Sequence, residues 1–154
     1  MSKKLAVILI RGMVNTHPDV RRTLELLRLK KKHACVVIEN NEVNLGMLQK
    51  VKDYTTYGLV DEELYTQLLE KRGELLGKVK VSSSKFDIKK FAKEYFENKI
   101  KTSEFETKYK LKPFFRLAPP VKGFERKGIK MPFAKGGVLG NRQEAIKDLI
   151  LKML

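Results

Sequence analysis

Leu5-Ala6-Val7-Ile8-Leu9-Ile10 decides how the rest of the chain is read. It is an uninterrupted apolar run rich in β-branched residues, and it predicts a β-strand buried on both faces, because a strand with one wet face alternates apolar and polar residues. Met1-Ser2-Lys3-Lys4 precedes the run, and Arg11 ends it with no small-residue cleavage site, so a secretory leader is a poor alternative. Moving outward, Thr16-His17-Pro18-Asp19 predicts a helix start: Thr16 as the cap, Pro18 in the first turn, and Asp19 at the positive end. Val20, Leu24 and Leu27 follow at helical spacing, and the helix is expected to end near Leu29. Cys35–Ile38 reads as a second buried strand, Asn40-Asn41 as a turn, 43–51 as a short helix and 53–60 as a third strand. The first sixty residues thus predict β-α-β-α-β.

Beyond residue 60, Asp61 to Arg72 predicts an amphipathic helix with an acidic first turn, Leu64, Leu68 and Leu69 on one face, and Gly73 as the stop. A second such helix is expected over 87–98, with Ile88, Phe91, Tyr95 and Phe96 on its apolar side. Residues 79–84 fit either a short strand or a loop. From Thr107 onward, Pro113, Pro119, Pro120 and Pro132 alternate with glycines, which excludes long regular elements apart from a short strand at 114–117. Asn141 is expected to cap a final helix over 142–153, in which Ile146, Leu149, Ile150 and Met153 keep a helical period. This organisation divides the chain into a core at 1–60 and an extension at 61–154.

The net charge of +15 costs self-repulsion in a compact chain and points to an acidic partner. Its distribution is uneven. Residues 1–60 carry 11 basic against 5 acidic side chains, 61–106 are balanced at 10 each, and 107–142 carry 10 against 1. Such a pattern is the footprint of a polyanion ligand. The candidate contacts in the first part are Arg11, Arg21, Arg22, Arg28, Lys30, Lys31, Lys32, Lys50 and Lys52. In the later tract they are Arg116, Lys122, Arg126, Lys127, Lys130, Lys135 and Arg142. Cations on an extended Gly/Pro-rich backbone can follow phosphates; the competing reading is a solvated, flexible tail. Phe114, Phe115, Phe124 and Phe133 are interleaved, either as anchors to the core or as base-stacking faces. Lys30–Lys32 suit a solvated helix C-terminus, but the excess of basic side chains in residues 1–60 favours RNA contact.

Catalytic and metal chemistry find little support. The only histidines, His17 and His33, lie at opposite ends of one expected helix, roughly 20 Å apart at 1.5 Å per residue. Cys35, the sole cysteine, sits inside an apolar strand, which predicts an inert thiol and excludes an internal disulfide. Asp61-Glu62-Glu63 is accounted for by a helix N-terminus, and Gly136–Arg142 fits neither a P-loop nor a dinucleotide fingerprint. No cofactor, metal or small-molecule substrate is expected. No apolar run reaches the length of a membrane span.

Several segments resemble a known family. Leu5-Ala6-Val7-Ile8-Leu9-Ile10-Arg11-Gly12, Thr23-Leu24-Glu25-Leu26-Leu27-Arg28-Leu29 and Gly46-Met47-Leu48-Gln49-Lys50-Val51 are similar to the core of the L-thirty family of large-subunit ribosomal proteins. Arg116–Phe124 and Gly136–Arg142 resemble its longer archaeal and eukaryotic form, so the likeness spans nearly the whole chain. It implies an α+β fold: a β-α-β-α-β core with an antiparallel sheet, loosely ferredoxin-like, plus a helical and irregular C-terminal extension. It also implies a non-catalytic, cytoplasmic role on the ribosome, binding large-subunit ribosomal RNA near the 5S RNA and adjacent ribosomal proteins. Two positions depart from the family pattern: Leu45 stands where the bacterial form has an arginine, so a contact made by that arginine is either missing here or supplied by Lys50 or Lys52, and Val121-Lys122-Gly123 shifts a cation by one residue. Charge alone leaves open a general nucleic-acid-binding or RNA-chaperone module.

Overall fold

Successive side chains of a strand point to opposite faces, and the first strand, β1 (Lys4–Leu9), uses both. Leu5, Val7 and Leu9 enter one apolar cluster while Ala6, Ile8 and the following Ile10 enter another. The computed structural model describes residues 3–154; Met1 and Ser2, which open the reading of the N-terminus, lie outside the described residues. After β1 come α1 (Pro18–Leu26), β2 (Ala34–Glu39), α2 (Glu42–Val51) and β3 (Thr55–Val60). The extension adds α3 (Glu62–Arg72), α4 (Ile88–Phe96), the single turn α5 (Glu104–Thr107), β4 (Phe114–Arg116), β5 (Gly140–Asn141) and α6 (Ile146–Met153).

The strands form one sheet in the order β4-β2-β1-β3-β5. Its first four strands are antiparallel, with Val7 opposite Val36 and Tyr57; β5 runs parallel to β3, so the sheet is mixed at that edge. On one face α1 and α2 bury Leu24, Leu48 and Val51 against Leu5, Val7, Val36 and Tyr57. On the other, α3, α4 and α6 bury Leu68, Tyr95 and Ile150 with Ile8, Cys35 and Val37. The extension is therefore the second apolar cover of the sheet, a three-layer arrangement that explains why β1 and β2 read as unbroken apolar runs.

Several element boundaries differ from expectation for local reasons. Thr16 does not cap α1: His17 does, its Nδ1 accepting from the Asp19 amide at 3.3 Å, while the Thr16 hydroxyl is buried without a partner among the described residues. The helix stops at Leu26 and not near Leu29, because Arg28 turns left-handed (φ +62°). Arg28 N–H donates to the Glu25 carbonyl and Leu29 N–H to that of Leu24, the paired bonds of a Schellman turn. An arginine occupies the position usually given to glycine, at a conformational cost of about 1 kcal/mol.

At the other end of the chain, the last helix starts at Ile146 and not at 142. Residues 140–141 are taken by pairing with β3, and Asn141 Oδ1 accepts from Gln143 N–H to close a tight turn instead of capping a helix. Residues 79–84 contain a 3₁₀ turn at Val81–Ser83 and no strand. The basic tract, expected to be extended, is folded onto the body. Ala118 and Val121 amides donate to the Met153 and Lys152 carbonyls, and Val138 and Leu139 amides both donate to Met131.

Candidate nucleic-acid interface

The bend at Arg28 sends the chain back toward the start of β2, which sets Lys30, Lys31 and Lys32 along the outer edge of β4. There they meet Arg116. Together with Arg28, Phe114 and the buried Ala34 and Leu117, they line a cleft of about 730 Å³. Glu25 and Glu106 also border it, but each is paired: Glu25 with Arg21 at 3.5 Å, and Glu106 with Arg28 at 2.6 Å. Lys30, Lys31, Lys32 and Arg116 make no ion pair among the described residues. The cleft thus keeps a net positive charge above an apolar floor.

A second group of cations lies on the folded tract. Lys122, Arg126, Lys127, Lys130 and Lys135 are all exposed, and Lys122 takes a left-handed φ of +67° at a turn. The Lys127 stem lies across Gly136, where a Cβ would sit 3.3 Å from its Cδ. Phe124 brings this loop beside His33, with ring centroids 6.1 Å apart at an interplanar angle of 19°. That contact places the loop next to the Lys30–Lys32 segment.

The remaining expected contacts are more dispersed. Arg11 lies over the Tyr54 ring at 5.1 Å and donates to the Asp53 carbonyl at 3.3 Å, which puts it at the same end of the sheet as Lys52. Arg21, Arg22 and Lys50 are exposed on α1 and α2.

Arg142 requires a correction. Its side chain is only 2% exposed and cannot face an external phosphate. Nη2 donates to Glu125 Oε2 at 2.7 Å, Nη1 to Glu125 Oε1, and Nε to the Thr56 hydroxyl at 2.9 Å; the guanidinium also covers the Phe133 ring at 4.7 Å. Arg142 holds the basic loop to the edge of β3. The phenylalanines also serve the fold: Phe115 is in the core, and Phe114 and Phe124 pack against it.

Three features were not visible in the sequence. Glu106 orients Arg28 from 78 residues away, Phe114 forms a wall of the cleft, and Lys4 is fully buried, its Nζ donating to Asn98 Oδ1 at 2.7 Å above the Tyr95 ring. Burial pulls the Lys4 ammonium below its ordinary pKa, against the smaller opposing pull of Glu39. Cys35 is completely buried, which pushes its thiol up to about 12. Burial, and secondarily Lys32, lower the pKa of His33, so its imidazole is neutral at pH 7. Among the described residues, no three His, Cys, Asp or Glu side chains converge as a metal site, and no helix is long and apolar enough to cross a membrane.

The family model for ribosomal protein L30p/L7e matches residues 5–55. The large ribosomal subunit protein uL30 of Methanopyrus kandleri is 42% identical over 152 residues, covering 94% of this chain and the whole of the relative. The chain belongs to the ribosomal protein L30p/L7e family. The uL30 proteins of Nanoarchaeum equitans (40% identical, 97% of each chain covered) and Staphylothermus marinus (42%, also 97% of each) are similar over the same extent. Residues beyond 55, which the family model does not reach, are thus shared with these archaeal uL30 chains. As an L30p/L7e member the chain is a structural protein and not an enzyme.

Proposed function

We propose that the chain is a structural constituent of the large subunit of the cytoplasmic ribosome and binds large-subunit ribosomal RNA near the 5S RNA, alongside neighbouring ribosomal proteins. One observation carries the RNA contact: the unpaired cations of the cleft (Lys30, Lys31, Lys32, Arg116) lie next to the loop cations (Lys122, Arg126, Lys127, Lys130, Lys135). Arg11, Arg21, Arg22, Lys50 and Lys52 would add peripheral contacts, with Arg28 held in the cleft by Glu106. Phosphates neutralised by these groups release counterions, so affinity should fall steeply with salt. Arg142, whose side chain is 2% exposed and paired with Glu125, is left out of the proposed contacts. The location near the 5S RNA is supported by the family resemblance alone.

The test is RNA binding by the chain with Lys122, Arg126, Lys127 and Lys130 changed together to Ala. Loss of four phosphate contacts should flatten the slope of log K against log salt by roughly 3. An unchanged slope would remove the loop from the interface. Stoichiometric co-sedimentation with large subunits through a high-salt wash is the accompanying expectation. Equal binding to unrelated RNAs without such retention would favour a general RNA-chaperone module.

A further inference from the structure

We propose that the cleft between the Lys30–Lys32 segment and β4 receives a single unstacked RNA nucleotide, with its base against Phe114 and Arg116 and its phosphate on the lysines. The inference rests on the RNA-binding reading above and specifies what one part of that surface takes.

The shape is the first argument. A duplex presents rows of phosphates that a convex or flat basic surface can meet, whereas this site is concave. At about 730 Å³ it falls in the range of small-ligand sites. The chemistry of its walls is the second. Phe114 is only half buried, and the Arg116 guanidinium lies 5.8 Å from its ring centroid, so an aromatic face and a planar cation stand side by side. Both are surfaces on which an unstacked base can stack. Ala34 and Leu117 supply an apolar floor with no competing charge.

Charge gives the third argument. Both carboxylates bordering the cleft are engaged by arginines, and Lys30, Lys31, Lys32 and Arg116 have no ion-pair partner among the described residues. Arg28 is the fourth. It stands in the turn that follows α1, and its side chain pairs with Glu106 of α5 at the border of the cleft. Arg28 and Glu106 both line the cleft, so their pairing neutralises one carboxylate at its border.

The full chain would be titrated with two RNA hairpins of equal length, one fully paired and one carrying a single bulged 4-thiouridine. The bulged hairpin is expected to bind at least tenfold more tightly, and irradiation should crosslink it to the peptide containing Phe114. Phe114→Leu keeps an apolar side chain against the core but removes the ring. It should reduce the tenfold preference to less than twofold, and a preference that survives Phe114→Leu would overturn the nucleotide site. If both hairpins bind alike and crosslinks fall elsewhere, the nucleotide site is overturned while the RNA-binding reading stands. If neither binds, both fail. Displacement of the bulged hairpin by poly-glutamate at equal charge concentration would also overturn the proposal, since it would mark a site for acidic chains in general.

Discussion

Arg142 shows how a cation that looks like an RNA contact in the sequence can instead be part of the fold. Its guanidinium is shared among Glu125, Thr56 and the Val138 carbonyl, and fastens the loop that carries Arg126, Lys127, Lys130 and Lys135. Removing one member of a buried pair leaves the other uncompensated, so Arg142→Ala should destabilise the protein by about 3–5 kcal/mol in denaturant unfolding. A loss under about 1 kcal/mol would show that the loop is held by other contacts. Glu125 adds a pH dependence. Burial raises its carboxyl pKa, but the Arg142 hydrogen bond and the nearby positive charges outweigh this and hold it below the ordinary value. A depressed carboxylate contributes stability above its unfolded pKa, about 4.3, which is lost as pH falls through the folded pKa. Glu125→Gln should therefore start from a lower stability at neutral pH and decline less steeply than the parent below about pH 4.5. Parallel acid limbs would exclude Glu125 as a contributor. Nothing at these two positions marked them as partners, since 17 residues separate them and both lie in irregular backbone.

At the scale of elements, the packing of α6 on β3 depends on the absence of a side chain. A Cβ on Gly58 would run into the Gln143 carbonyl oxygen and stand 2.7 Å from Ile146 Cβ. Gly58→Ala should cost about 1–3 kcal/mol by forcing the 3₁₀ turn at Gln143–Ala145 and the start of α6 outward. Thermal or denaturant unfolding reads this directly, and a change within about 0.5 kcal/mol would mean that α6 yields freely. The helices themselves were largely legible. The apolar spacing of α3, α4 and α6 marked their buried faces, whereas Asn41, read as part of a turn, is the cap of α2, and Asp87, read only as a helix start, is the cap of α4. Boundaries failed where tertiary hydrogen bonds competed with local signals. Asn141 is a good capping residue, but β3 pairs with it first. Thr16 is a good cap by type, yet the chain enters α1 one residue later. The 730 Å³ cleft was not legible at all, because its walls come from an α1–β2 loop and from β4, which are joined only through sheet pairing.

For the whole molecule, the sheet needs both apolar covers. A fragment ending at residue 60 would leave Ala6, Ile8, Ile10, Cys35, Val37 and Val60 without α3, α4 and α6. That fragment should show no cooperative unfolding transition and should bind a hydrophobic dye; a sharp two-state melt would mean that the first sixty residues of this chain fold by themselves. The positive charge is also a whole-molecule property, gathered toward the cleft and the loop and not spread along a trailing arm. By itself the sequence determined the β-α-β-α-β order, the faces of the helices, the uneven positive charge and the family, because periodicity, composition and ordered motifs are carried by neighbours along the chain. Only the tertiary structure decided that the basic tract folds back, that Arg142 turns inward while Arg116 joins Lys30–Lys32, and that Lys4 is buried. These depend on contacts between residues far apart in the chain, and no local pattern records which distant carboxylate, ring or strand edge each of them meets.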